Sequence, residues 1–399
     1  MSLREAASEL EPDLVRLRRA IHAEPELGLR VPRTRDKVLA ELAGLPLEIS
    51  TGVRADSVTA VLRGPRPGPV VLLRADMDAL PLTERGPAGQ VSAVPGRMHA
   101  CGHDLHTAML AGAARLLGRR RDDLPGNVIF MFQPGEEGQG GARIMIDEGV
   151  LDAAGARPAA AYALHVVSAG LPRGVVMTRS GRMMASCDVF EVVVRGVGGH
   201  GALWRLARDP VPALCDLVSA FRAVGAGHGE RDPVAVTVGS VRAGASPNVI
   251  AEEARFSGTI RTLSERTRSA VRDRLAALTR NVAAAHGVGA ALEFTAEYPM
   301  TVNDCRETRF LRSVVREALG AERFVAAAGP SLVSEDFSFV LEEVPGTIAI
   351  LGACPPDRDP ARAPYNHAPD AAFAESVLAD GAALYAELAL RRLTGPRTL

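Results

Sequence analysis

Residues 69–82, PVVLLRADMDALPL, run from an apolar stretch of strand length straight into two aspartates and a proline. A short apolar run bounded by turn residues is the pattern of a strand buried on both faces. It recurs in GNVIFMFQPGEEG (126–138) and AAAYALHVV (159–167), each rich in β-branched or aromatic residues and followed by a polar loop. Before the first of these, TAMLAGAARLLGRR (107–120) has helical apolar spacing and a basic last turn that suits the helix dipole. Strands alternating with helices predict an α/β sheet with helices on both faces. Open α/β sheets place their ligands beyond the carboxyl ends of the strands. The chemically active residues of these segments fall there.

From about residue 181 the pattern changes. DVFEVVVRG (188–196) alternates as a strand, DPVPALCDLVSAFRAV (209–224) reads as a helix, and PVAVTVGSVRAG (233–244) and EARFSGTIRTL (253–263) as two strands. SERTRSAVRDRLAALTRNVAAAHG (264–287) is a long helix opened by Ser264, and ALEFTAEYP (291–299) a last strand. The order βαββαβ is the split plan of a ferredoxin-like domain. Residues 308–320, 347–353 and 374–393 then return to helix, strand and helix. The expected organisation is a catalytic α/β domain of residues 1–180 and 300–399, interrupted by a smaller ferredoxin-like α+β domain over 181–299. A length of 399 residues favours two domains over one.

Composition excludes several classes. A hydrophobic fraction of 47% with a formal net charge of −1 has neither the basic excess of a nucleic-acid binder nor an acidic tail. No run of eighteen apolar residues occurs, and the first twenty residues contain no apolar core of signal-peptide length, so a cytoplasmic protein without membrane association is expected. Five scattered cysteines without CxxC spacing argue against a disulfide framework and for reduced thiols.

MHACGHDLHTAML (98–110) gathers a thiol, three imidazoles and a carboxylate. Cys101 and His103 are two apart, a spacing that cannot share one helix face, so both are expected on the turn before a helix beginning near Thr107. Thiolate with imidazole suits Zn²⁺ or a similar divalent ion. In QPGEEGQGGA (133–142) the adjacent Glu136 and Glu137 point in different directions, so one can bind metal while the other faces a water as general base. His165 closes the next strand, His367 lies in the loop YNHAPD (365–370), and Asp76 and Asp78 leave the strand end of the opening segment. A lone Cys or His is usually core and an adjacent glutamate pair usually solvated. Five ligand-type groups at successive strand ends can instead converge on two metal ions, and a free carboxylate beside them is a hydrolase design.

RRAIHAEPELG, LLRADMDALPL, MHACGHDLHTAMLAGAA, QPGEEGQGGARIMIDEGVL, LHV, GGHGA, SPNVI, GTIRTL, SEDFS and NHAPD resemble, in order and spacing, the dinuclear metallo-aminoacylases that include hippurate hydrolase and the auxin-conjugate amidohydrolases. The resemblance covers nearly the whole chain. It implies hydrolysis of an N-acyl amino acid to a carboxylate and a free amine, with two divalent ions (Zn, Mn, Co or Ni) per subunit. By position it makes Cys101, His103, Glu137, His165 and His367 the metal ligands and Glu136 the general base, with Asp78 in a supporting catalytic role. Asp104 and His106 then orient the ligands or finish the helix start. In the inserted domain it favours His200 as an oxyanion donor and Asn248 and Arg261 as substrate-binding residues, and it implies a homodimer through that domain. A dipeptidase, an N-acyl-diaminopimelate-type deacylase and a non-catalytic metal-dependent binding protein are the alternatives. One departure stands out: Trp204 and Arg205 occupy the place of a usual Pro-His pair.

Overall fold

The computed structural model describes residues 1–86, 91–229 and 232–395. Their contacts form two units, one of Met1–Gly181, Val302–Gly329 and Asp336–Leu399, the other of Arg182–Thr301 and Pro330–Glu335. Residues 330–335, expected with the catalytic segment, join the smaller unit. Ser331 N donates to Met183 O and Ala185 N to Val333 O, each at 2.9 Å.

The larger unit is built on strands β1 (Leu47–Thr51), β2 (Val58–Arg63), β3 (Arg66–Asp76), β4 (Pro125–Gln133), β5 (Ala160–Val167) and β6 (Val176–Thr178). The chain passes into the smaller unit within β7 (Gly181–Met184), continues there through β8 (Ser186–Arg195), β9 (Gly199–His200), β10 (Ala235–Ala243), β11 (Val249–Ile250), β12 (Glu253–Thr262) and β13 (Gly289–Tyr298), and returns within β14 (Thr301–Asn303). Strands β15 (Phe324–Ala326) and β16 (Gly346–Gly352) complete the large sheet, whose order is β1-β2-β4-β3-β5-β16-β6-β15. Strands β4, β3, β5 and β16 run parallel at its centre. Their carboxyl ends therefore share one edge.

Both faces of these central strands are buried, which is why they read as continuous apolar runs. Val71, Leu73 and Ala75 of β3 join the core made with helices α1 (Leu3–Ala23), α3 (His103–Arg119) and α9 (Leu378–Thr394), while the alternate Val70 and Leu72 are buried as well. Helix α2 (Pro32–Leu42) packs against α3, and α4 (Gly141–Asp147) lies against β4. Small residues bring α1, α3 and α9 together: a Cβ on Gly112 would meet Ala382 Cβ and Leu14 Cδ2 at 2.9 Å. Among the described residues no helix is long and apolar enough to cross a membrane.

In the smaller unit β10, β12, β8 and β13 form an antiparallel sheet in that order. Helices α5 (Val211–Ala226) and α6 (Glu265–Ala285) supply its core with the sheet, and the chain order is β8-α5-β10-β12-α6-β13. Phe190, Phe221 and Phe256 pack with centroids 5.1–5.9 Å apart. Ser264 caps α6 by accepting from Thr267 N at 3.1 Å. Helices α7 (Cys305–Ala318) and α8 (Ser338–Glu343) belong to the larger unit.

Tyr385 of α9 ties the central strands together from below the ligand edge. Its hydroxyl donates to Arg74 O at 2.6 Å and accepts from Leu164 N at 2.8 Å, extending the β3–β5 ladder by one side chain. Tyr385→Phe removes that partner from two buried backbone groups and should cost about 1–3 kcal/mol. Urea unfolding checks this; an unchanged midpoint would show the bridge to be dispensable.

Candidate metal centre

Helix α3 begins at His103, four residues before the start that its apolar spacing suggests. Gly102 makes the difference: it takes φ +84°, and a Cβ there would lie 2.4 Å from Val166 Cγ2. Only glycine fits that turn without strain. Cys101 thus precedes the helix while His103 is its first residue, and both are buried.

Five predicted ligands gather at the carboxyl edge of the large sheet. The ligand atoms of Cys101, His103 and His165 lie within 4.8 Å of one another, and so do those of Cys101, Glu137 and His367. Cys101 belongs to both triads. Its Sγ stands 3.3 Å from His165 Nε2 and 3.2 Å from His367 Nε2, and His367 Nε2 is 3.1 Å from Glu137 Oε1.

The far nitrogens of the rings fix their tautomers. His103 Nδ1 donates to Asp78 O at 2.8 Å and His165 Nδ1 to Val166 O at 2.9 Å, so each turns its Nε2 lone pair inward. His103 Nε2 is buried with no hydrogen-bond partner. A buried imidazole nitrogen left so is costly unless something else occupies its lone pair, and a divalent cation fits that donor set. His367 has φ +68°, the one positive value among described non-glycine residues, and its N donates to Ala100 O at 2.9 Å. Backbone strain of this kind persists where the surroundings enforce it, commonly at functional sites.

Glu136 is 6% exposed beside these groups. Asp78 binds the glutamate loop: its two carboxylate oxygens accept from Glu136 N at 2.9 Å and Glu137 N at 3.1 Å. Both ring nitrogens of His106 are engaged within the protein. Its Nε2 accepts from Val166 N at 2.8 Å, which leaves Nδ1–H to donate to Asp76. Asp104 does not finish the helix start either; it binds Arg18 Nε at 2.7 Å and His22 Nδ1 at 2.8 Å.

Buried negative charge dominates the electrostatics. Burial opposes ionisation of Asp76, yet His103, His106 and Arg74 hold it well below the usual carboxylate range. Burial likewise opposes the His103 imidazolium, and the Asp76 carboxylate still holds it well above its ordinary value. Hydrogen bonds to Cys101 and Glu137 raise His367 to about 10. Burial keeps His165 neutral and pushes the Cys101 thiol up. The cluster therefore draws positive charge, as protons on His103 and His367 or as cations that displace them.

Residues 72–391 match the peptidase family M20/M25/M40. The chain belongs to that family. The M20 chain is 36% identical over 385 residues to IAA-amino acid hydrolase ILR1-like 4 of Arabidopsis thaliana, covering 95% of this chain and 86% of that one. It is 35% identical over 348 residues to N-acetylcysteine deacetylase of Bacillus subtilis, with 85% and 88% covered. The fold matches the YxeP protein of Bacillus subtilis, described as a dinuclear metal-binding M20 peptidase, with a TM-score of 0.80, 32% identity, and 97% and 99% of the two chains covered. The M20 chain is accordingly a metal-dependent hydrolase.

The remaining predicted residues lie in the smaller unit. His200 is exposed and accepts from Ala202 N at 3.1 Å; β9, which it ends, pairs with β11, with Val249 opposite His200. Asn248 is exposed and accepts from Ser246 Oγ at 2.6 Å. Arg261 Nη1 donates to Ser334 Oγ at 2.8 Å and Leu332 O at 3.2 Å. Trp204 is 62% exposed, with the Arg205 guanidinium 5.2 Å from its ring centroid.

Sequence reasoning missed several supporting residues. Arg74 is 1% exposed on β3, and its signal was a lone cation inside an apolar run. Asn366, next to His367, donates to Val166 O at 3.0 Å and accepts from Ser168 N at 2.9 Å, pinning the His367 loop to β5 and the residue that follows it. His22 of α1 reaches Asp104 and, at 3.0 Å, Glu84.

That His22 contact carries a pH dependence. Burial lowers the His22 pKa, but the bonds to Asp104 and Glu84 win and raise it to about 9. Its folded value exceeds the unfolded value near 6.5, so its stabilisation is complete below pH 6.5 and is lost as pH rises through 9. Urea unfolding of wild type and His22→Gln should show a stability gap at pH 6 that narrows by pH 9.5. A gap that widens with pH would contradict the charged pair.

Proposed function

We propose that this protein hydrolyses the amide bond of small N-acyl amino acids, releasing a carboxylate and a free amine, with Glu136 as general base. The observation that carries the reading is the pair of ligand triads sharing Cys101, with the buried Glu136 carboxylate beside them. The relatives named above, which act on an IAA-amino acid and on N-acetylcysteine, support this substrate class.

Cys101, His103 and His165, and Cys101, Glu137 and His367, would hold two divalent cations, whose chemistry is to polarise the scissile carbonyl and acidify the attacking water. Asp78 holds both adjacent glutamate amides, so Glu137 and Glu136 keep distinct directions. Glu136 takes the proton of the attacking water and delivers it to the leaving nitrogen. Arg261 and Asn248 bind the substrate's polar end, Arg261 through the nitrogens that Leu332 and Ser334 leave over. The enzyme works as a homodimer through the smaller unit, with His200 of each subunit donating to the oxyanion at the partner's centre. Exposed Leu203, Trp204, Leu206 and Val249 around His200 support such an apolar contact. All five cysteines are free, which suits a reducing cytoplasm.

A panel of N-acyl amino acids, their α-amides and dipeptides, read by amine release with added Zn²⁺, Mn²⁺, Co²⁺ or Ni²⁺, tests substrate and metal together. Turnover of N-acyl amino acids with a free α-carboxylate is expected; preference for dipeptides would overturn the substrate class. Glu136→Gln should lose about 10²- to 10⁴-fold in turnover with metal retained, and Glu137→Gln should lose metal. The opposite pattern in metal analysis would reverse the two roles.

Mixing inactive His200→Ala with inactive Glu136→Gln tests the dimer. One site of each heterodimer combines both intact residues, so activity should recover toward about a quarter of wild type on random reassortment. Heterodimers seen by mass spectrometry but still inactive would refute donation across subunits.

A further inference from the structure

Residues 134–141 carry the adjacent glutamates between the end of β4 and the start of α4. The ends of this loop close tightly on each other, Gly141 N donating to Gly135 O at 3.0 Å, and a Cβ on Gly141 would fall 1.7 Å from Pro134 O. Both ends are also bound to one distant side chain. Asp336, fully buried just before α8, accepts from Gln133 Nε2 at 2.9 and 2.8 Å and from Ala142 N at 2.9 Å. Arg74 Nη2 donates to the same carboxylate at 2.7 Å, and Arg74 Nε donates to Gln133 Oε1 at 2.8 Å, closing a ring of three side chains.

The return contact gives this clamp a direction. Asp336 N donates to Glu136 Oε1 at 3.4 Å, a long bond of the sort that tightens when a site is occupied. The side chain of Asp336 thus fixes the frame of the loop, while its main chain faces the carboxylate that the loop presents.

We propose that Asp336 is a positioning residue for the general base: clamped by Arg74 and Gln133, it holds both ends of the 134–141 loop and aims the Glu136 carboxylate through its own N–H. The proposal rests on the reading of Glu136 as the base. An N–H donor at the carboxylate restricts its rotation, so the cost of losing it falls on the proton-transfer step. Misplacing a reacting group by about an ångström can cost on the order of 10²-fold in rate.

Asp336→Asn keeps the volume but must turn an amide NH₂ toward either the Arg74 and Gln133 donors or Ala142 N. We expect kcat to fall about 10- to 100-fold, with KM and metal content of the holoenzyme within about twofold of wild type. In the metal-free protein, amide hydrogen exchange over 134–142 should accelerate at least about tenfold while β3 and β4 stay protected. Should Asp336→Asn fail to fold, Gln133→Met, which loosens the same clamp without removing a charge, is expected to behave the same way. The deciding measurement is the double variant with Glu136→Gln. If Asp336 acts through Glu136, its substitution costs less than about twofold in that background. Multiplicative losses, depleted metal or unchanged exchange over 134–142 would each overturn the proposal. A fully active Glu136→Gln would instead overturn the base itself, and the positioning role with it.

Discussion

A guanidinium buried to 1% exposure between two fully buried carboxylates organises the larger unit. Arg74 Nη1 meets Asp76 at 2.6 Å and Nη2 meets Asp336 at 2.7 Å, so one cation on the central strand neutralises charge arriving from two parts of the chain. Burying an ion is tolerated only where geometry and further hydrogen bonds compensate for lost water. Here the compensation is shared: Gln133 and Ala142 complete Asp336, while His106 completes Asp76. Removing any member would strand a charge, and the metal-ligand edge is built directly on this layer.

The same electrostatic logic runs outward. Beyond Arg74, Glu136, Glu137 and Asp78 gather at the strand ends. Protonated imidazoles satisfy that negative charge when nothing else does, which is why His103 and His367 sit above their ordinary values. A cation-binding site is, in this sense, the unfinished end of a charge ladder. His106, held between Asp76 and Val166 N, lies between the structural layer and the reactive one.

Much of this was legible in the residues. Strands buried on both faces announce themselves as apolar runs, and β3, β4 and β5 fall where those runs lie. The convergence of Cys101, His103, Glu137, His165 and His367 follows from where the sequence places them, on the turns, strand end and loops around the carboxyl edge of the parallel strands. Other features were not. Gly102 shifted the start of α3, since a left-handed glycine is invisible to apolar periodicity. Residues 330–335 joined the smaller unit through backbone bonds to 183–185, which carry no side-chain signature. The bonds from the Glu136 and Glu137 amides to Asp78 have no counterpart in the sequence pattern. Arg74 and Asp336, 262 positions apart, are each unremarkable alone and informative only as a pair.

The chain order of the proposed ligands has a consequence for synthesis. Cys101, His103, Glu137 and His165 lie within the first 165 residues, whereas Asp336 and His367 follow the smaller unit. At roughly 5–20 residues per second, the 202 positions separating His165 from His367 take about 10 to 40 seconds to translate. Through that interval a nascent chain can own one complete ligand triad, Cys101 with His103 and His165, while the second lacks its histidine and the glutamate loop lacks its clamp. Of the two proposed triads, the one containing His367 is necessarily the later to be completed on the ribosome.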